Sequence, residues 1–384
     1  MTKPLLLLGI VVLASASGAN DSAGQNPDTP ARSASGSAQT ENAGEWGREF
    51  GAAVAIDYLA LQESLSQMIA GQADPAAGRF IPVRGASSFV DAPGDFIAAL
   101  SRASKGDTVF VPGDALLDLT PYTDIVVPAG VVVASSRRVN GSEGALLYTG
   151  ELGTTLFRAQ AGAKLVGLSI LGPDTDRRTV QLERLKARGG NALYYAVPVA
   201  RGIVVEGSDV VIENCEIWGW SRAGVEVTNG AQNVVVRHNL IYLNQRRGLG
   251  YGVFVDAAEA IVEYNLFDWC RHCVAGSGRP GTSYEARYNF VLTNMSGHTF
   301  DMHGGVDRGD DTNIAGTRIK IHHNNVAQTT FPSVVIRGEP EEYVEIYQNQ
   351  FRSPDAAAQI EIHGSRERVR IFENSFGGRP VTGP

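Results

Sequence analysis

From residue 200 onward, apolar and polar positions alternate in short runs that return at a steady interval. VVIENCEI, VVVRHNLI, AIVEYNLF, YEARYNFV, IKIHHNNV, VEIYQNQF and VRIFENSF share one pattern, in which alternating apolar residues lead into an Asn. A further apolar residue follows two positions later, once three. The Asn residues fall at 214, 239, 265, 289, 324, 349 and 374, a period in the mid-twenties broken only between Asn289 and Asn324. Period-two alternation indicates strands. A repeat of this length without a helical half indicates a solenoid in which each coil stacks on the next. An Asn at one place per coil predicts a ladder of stacked side-chain amides that satisfy one another and the turn backbone. Upstream, AKLVGLSILG reads as the same strand with Gly in place of the Asn, and IVVPAGVVVASS and ALLYTG read as earlier coils. DAPGDFIAALSRASKGDTVFVPG predicts a short helix, a turn and a first strand; such a helix would cover the otherwise open strand edge at the start of the solenoid.

The N-terminal third divides differently. Residues 1–19 read as a secretory signal peptide: Lys3 gives a positive start, Leu5 to Leu13 an apolar core, and Ala14-Ser15-Ala16 or Ser17-Gly18-Ala19 a small-residue cleavage site. The chain is therefore expected in the periplasm or outside the cell, with no membrane span in the mature protein. Residues 20–48 are a Ser-, Ala- and Gly-rich linker. Over 49–72, Phe50, Val54, Tyr58, Leu61, Leu65 and Met68 recur at the period of one amphipathic helix, and 73–85 form a second linker before a domain over 86–384.

These features resemble the right-handed parallel β-helix enzymes of the pectate-lyase-like superfamily. The residues that carry the resemblance are the Gly94-to-Pro112 segment, the Asn ladder and its period. The resemblance implies an all-β, single-stranded right-handed parallel β-helix with an N-terminal capping helix. It leaves the reaction open, because one fold hosts lyases, hydrolases, epimerases and adhesins.

Composition narrows the chemistry. A net charge of −8 argues against nucleic acid, which needs a basic surface. Of 33 basic residues only five are Lys, so carboxylate-matching guanidinium forks dominate. Three Cys make no disulfide scaffold, and Cys270-Arg-His-Cys273 lacks a second pair for zinc, so buried thiols or one local disulfide are expected. All seven His lie between His238 and His363.

Aligning one strand coil by coil turns Val225, Val253, Val274, Phe300, Val334 and Ile360 inward together. The residues one and three positions later then point outward in two columns about 4.8 Å apart from coil to coil. One column runs Glu226, Phe254, Ala275, Asp301, Val335, Glu361, and the other Thr228, Asp256, Ser277, His303, Arg337, His363. Tyr251, His272 and His298 precede the inward position by two, where strict alternation would turn them inward; an outward direction there requires the alternation to break. In that case Tyr251, His272, His298, Asp301 and His303 converge as catalytic candidates. Arg271, Arg337, Asp256, Arg247 and Arg279 surround them as candidate substrate contacts. The long coil holds Asp307, Asp310 and Asp311 in a Gly-rich loop that could bind Ca²⁺ through oxygen ligands. Core packing is the expectation for Trp218 and Trp220.

A long shallow face suits a linear, anionic polysaccharide, acted on by a monomer. Removing the proton α to a uronate carboxylate needs a cation, a base and an acid, and Arg, His and Tyr supply all three. A lyase working by β-elimination is the first expectation. A C5-epimerase, a two-carboxylate glycoside hydrolase and a non-catalytic adhesin are the alternatives. The segment His298-Thr299-Phe300-Asp301-Met302-His303 is also similar to the Tyr-Gly-Phe-Asp-Pro-His motif of mannuronan C5-epimerases. That similarity implies functional roles for Asp301 and His303, with His298 at the motif's Tyr, Thr299 at its Gly and Met302 at its Pro.

Overall fold

The computed structural model describes residues 86–187, 197–246 and 248–380. The expected signal peptide, both linkers, the helix expected over 49–72 and Arg247 lie outside them. No helix among the described residues is long and apolar enough to cross a membrane.

Each coil contributes one short strand to each of three parallel sheets. One coil, for instance, supplies Val234–Arg237, Leu240–Tyr242 and Tyr251–Val255 in turn. The first sheet has eleven strands, from Ser88–Phe89 to Val369–Phe372, and the second eleven, from Leu116–Asp118 to Arg379–Pro380. The third has nine, from Ile125–Val127 to Ile360–Ile362. Apart from Arg379–Pro380, which folds back antiparallel on Ser375–Phe376, strands pair in parallel with their equivalents in neighbouring coils, so the chain is a right-handed parallel β-helix, the hand that right-twisted strands impose on parallel crossovers. Val225, Val253, Val274, Phe300 and Val334 stack inward and are fully buried. Branched apolar side chains fit such a column because each packs on its copy one coil away.

Between the first and second sheets the chain turns through a left-handed residue, and the ladder Asn follows it. His238, Tyr264, Tyr288 and His323 hold φ near +55° (57°, 54°, 54° and 54°). From Asn239 to Asn374 each ladder amide accepts from the coil before it: Asn289 Oδ1 takes Asn265 N at 3.0 Å and Asn265 Nδ2 at 3.1 Å. Asn289 Nδ2 in turn donates to Val262 O at 2.8 Å and Asn324 Oδ1 at 3.0 Å.

The ladder begins one residue later than the sequence pattern indicates at Asn214. The pairings Glu213 with Arg237 and Glu216 with Leu240 put Asn214 opposite His238, in the left-handed position, and Cys215 in the ladder position. The three-residue step to the next apolar residue was the signature of this shift. Asn214 instead bonds Arg137, its Nδ2 donating to Arg137 O at 2.7 Å. Gly167 likewise fills the left-handed position (φ 67°) rather than the ladder, and a Cβ there would lie 2.5 Å from Ser135 O.

The helix Pro93–Arg102 caps the N-terminal end, burying Phe96, Ala99 and Leu100, with Phe96 edge-on to Phe157 at 6.3 Å. Proline at its start supplies the fixed φ of a first helical turn. Trp220 is core, while Trp218 stacks on Tyr242 outside the second sheet at 5.6 Å. Cys215, Cys270 and Cys273 are buried free thiols. A helix the periodicity did not signal, Arg178–Ala187, interrupts the coil between Leu171 and Arg201.

Candidate active site

The outer face of the third sheet carries the polar convergence. Strand pairing aligns Glu226, Phe254, Ala275, Asp301, Val335 and Glu361 in one column. Thr228, Asp256, Ser277, His303, Arg337 and His363 follow two residues later. Tyr251 pairs with His272, and His298 stands two residues before Phe300, which pairs with Val274.

Tyr251 and His272 do face outward, because the alternation breaks at the strand start. Cys273 N and Val274 N both donate to Thr299 O, at 2.9 and 3.1 Å, and Arg271 N and His272 N both reach Gly250 O. Two amides sharing one carbonyl mark a β-bulge, which adds a residue and re-aims the side chains before it. Gly252 and Val253 consequently both face the interior, and a Cβ on Gly252 would lie 2.9 Å from the Phe267 ring. Tyr251 packs instead with Phe254, Ala275, Ala223 and Leu249, an apolar cluster separate from the solenoid core.

Asp301 is the centre. It is fully buried, and Arg337 grips it with two parallel bonds, Nε to Oδ1 at 2.9 Å and Nη2 to Oδ2 at 2.8 Å. His303 Nε2 lies 3.1 Å from Oδ2, and His298 Nδ1 lies 3.6 Å from Oδ1. Burial alone would raise this carboxyl; the Arg337 guanidinium overcomes it and holds the group well below the usual carboxylate range. Asp301 is therefore an ionised anchor.

His272 Nδ1 lies 2.7 Å from His298 O, and that carbonyl can only accept, so the proton is on Nδ1. His272 Nε2 faces Asp301 Oδ2 at 3.4 Å without a hydrogen bond. Burial and then Arg271 push this imidazole well below its ordinary value, so it is neutral. Tyr251 stacks on Phe254 at 4.7 Å and His272 at 5.7 Å, with His303 edge-on at 6.2 Å. Burial raises its phenol, so it stays protonated. The Arg271 guanidinium lies 5.9 Å from the Tyr251 ring, and its Nη1 is buried without a hydrogen-bond partner among the described residues.

The remaining candidates are disposed differently. Asp256 and Arg279 form a rim pair at 3.0 Å. Asp307, Asp310 and Asp311 do not gather into the oxygen cage that Ca²⁺ would need. Asp307 accepts from Arg337 Nη1 at 3.3 Å and Gly304 N at 3.2 Å, and Asp310 from Arg308 Nε at 2.6 Å, so guanidiniums take the place of the ion. His272, His298 and Asp301 bring ligand atoms within 4.8 Å of one another, a metal-like grouping. Arg337 occupies both Asp301 oxygens there, so these residues do not fit a divalent cation.

Sequence reasoning did not single out the neighbouring network. Glu226 accepts from Arg201 Nε at 2.7 Å and Arg222 Nε at 3.1 Å, and these two cations outweigh burial to keep it ionised. Its outward column position was the available signal; its Arg partners sit at strand starts, where the pattern is silent. The helix Arg178–Ala187 docks beside the site, with Arg178 N donating to Gln245 Oε1 at 2.7 Å and Arg178 Nη1 to Ser296 O at 2.8 Å.

A family model described as the right-handed beta helix region matches residues 178–294. No match is found among curated proteins. Among solved structures, the chain is similar to an alginate lyase from Paenibacillus sp. str. FPU-7, at 14% identity over 74% of this chain and 100% of that one, with a TM-score of 0.46. It is similar to pectate lyase Pel9A at 12% identity over 77% and 82%, with a TM-score of 0.49. It is also similar to a family 28 exopolygalacturonase of Yersinia enterocolitica at 10% identity over 76% and 71%, with a TM-score of 0.40. The β-helix itself is established by this chain's own strand pairing.

Proposed function

We propose that the protein is a secreted polysaccharide lyase that cleaves a uronate-containing polymer by β-elimination. The observation that carries this reading is the division of labour between two guanidiniums. Arg337 is saturated by Asp301 and Asp307, whereas Arg271 Nη1 is buried with no hydrogen-bond partner among the described residues. A buried unpaired donor costs free energy unless a ligand completes it, and the carboxylate of a bound uronate would do so.

With the carboxylate neutralised, the C5 proton becomes acidic enough to remove. His303 suits the base: its Nε2 lies 3.1 Å from the ionised Asp301, which would hold the ring in the tautomer whose Nδ1 lone pair takes the proton. The C5–H pair becomes the C4–C5 double bond, the bond from C4 to the glycosidic oxygen breaks, and that oxygen takes a proton from Tyr251. Burial keeps this phenol protonated, so the proton to be donated is present. Two-carboxylate hydrolysis fits less well, since Asp301 is held ionised and cannot donate, and Asp256 is committed to Arg279.

Incubation with alginate, pectate, glucuronan and hyaluronan tests the proposal. At least one polymer should yield the ultraviolet absorbance of an unsaturated, conjugated sugar end. Reducing ends without that absorbance would identify a hydrolase, solvent deuterium at C5 without chain shortening an epimerase, and binding alone an adhesin.

A further inference from the structure

The N-terminal end of the solenoid presents a groove that the reaction does not use. It has a volume of about 580 Å³ and is lined by Ile97, Leu100, Tyr122, Ile125, Val126 and Pro128, between the capping helix and the first strand of the third sheet. That sheet begins late. The first sheet already has Ser88–Phe89 and Thr108–Phe110, and the second Leu116–Asp118, before Ile125–Val127 opens the third. Ile125–Val127 therefore pairs on one side only, with Thr155–Ala159. Each sheet starts with an exposed apolar side chain, Phe89 at 72%, Leu116 at 65% and Val126 at 41%, and of these Val126 lines the groove. An apolar groove beside an edge strand calls for a covering element.

We propose that residues 49–72 of the same chain occupy this groove as an amphipathic segment. Phe50, Val54, Tyr58, Leu61, Leu65 and Met68 recur at the spacing with which a helix lays one apolar face into a groove. The described chain starts at Ala86, two residues before the Ser88–Phe89 strand at this same end. Residues 73–85 make the connection, and thirteen residues reach at most about 45 Å, enough to return to the groove. Charge agrees. The segment carries Glu49, Asp57 and Glu63 and no Lys or Arg, while Arg102 and Lys105 stand exposed just past the lining Ser101, and the lining carboxylate Asp124 is paired with Arg158 at 2.7 Å. A tethered segment needs little intrinsic affinity, because a short linker keeps its local concentration high. The same segment folded over the cap would protect the edge strand from pairing with another chain.

Hydrogen exchange of the full chain, read on peptides covering 49–72 and 121–128, tests the docking. Amides of 49–72 should exchange at least about tenfold more slowly than an unstructured peptide, independently of protein concentration. Val126→Asp, at an exposed groove position that leaves the solenoid core intact, should abolish that protection. Leu61→Asp, in the segment itself, should abolish it too and speed exchange over 121–128. Unprotected 49–72 in the wild-type chain would overturn the proposal, as would protection that survives Val126→Asp. Protection that disappears on dilution would overturn it as well and identify a second copy as the occupant.

Discussion

Replacing Arg337 by Met removes the cation from a fully buried carboxylate while keeping most of the side-chain volume. The two bonds at 2.9 and 2.8 Å bring the charge centres to about 4 Å, worth about 4 kcal/mol at an effective dielectric constant of 20. Breaking a buried pair from one side typically costs about 3–5 kcal/mol, because the remaining charge stays desolvated. His298 and His303 remain near Asp301, so a loss near 3 kcal/mol at pH 7 is expected, measured as the shift in urea unfolding free energy. The pH dependence distinguishes this cause from mere loss of packing. In the wild type, Asp301 lies below its unfolded value of about 3.9, so its contribution is present above that pH and fades as pH falls through the folded value. Without Arg337, burial raises the folded value above the unfolded one, and the group then destabilises increasingly as pH rises. The gap between variant and wild type should widen from pH 4 to pH 7. A gap below about 1 kcal/mol, or one independent of pH, would refute the reasoning.

Other consequences can be checked in parallel. His272 is neutral when folded and titrates near 6.5 when unfolded, so it costs stability as pH drops below 6.5; His272→Gln should flatten the stability profile between about pH 6.5 and 5. Asn289→Ala should cost about 3 kcal/mol in urea unfolding, because it orphans Val262 O and the Asn265 donors; Asn374→Ala, at the end of the ladder, should cost less. Burial pushes the Cys270 thiol up to about 12 and Cys273 well above its usual value, so a thiol reagent should label neither until the protein unfolds. Arg271→Ala should raise KM for the polymer and lower kcat without lowering the unfolding free energy, since the unpaired buried donor is removed with the side chain.

The solenoid was legible because its two signals, apolar alternation and the recurring Asn, are local and repeat in every coil. One register detail was also written in the sequence: the extra residue after Asn214 marks the coil where Cys215 takes the ladder position. The two outward columns followed from alternation, but the Tyr251–His272–His298 group did not. Its orientation depends on a bulge whose signature is a shared carbonyl, and hydrogen-bond sharing leaves no trace in residue type beyond the glycine at Gly252. The Asp-rich loop misled for the opposite reason. Three carboxylates in a Gly-rich run look like an ion site until Arg308 and Arg337, one of them thirty residues away, are brought against them. The helix Arg178–Ala187 stayed hidden because it is largely polar, with no apolar stripe to read.

The central claim is that the cluster around Asp301 removes a proton from the substrate, with His303 as the base. The most direct measurement is the rate of ultraviolet absorbance increase on one uronate polymer, for the wild type and for His303→Ala, with folding verified by matching unfolding curves. The account predicts a steady rise for the wild type and a loss of at least about a hundredfold in the folded variant. A folded His303→Ala protein that cleaves at the wild-type rate would contradict it.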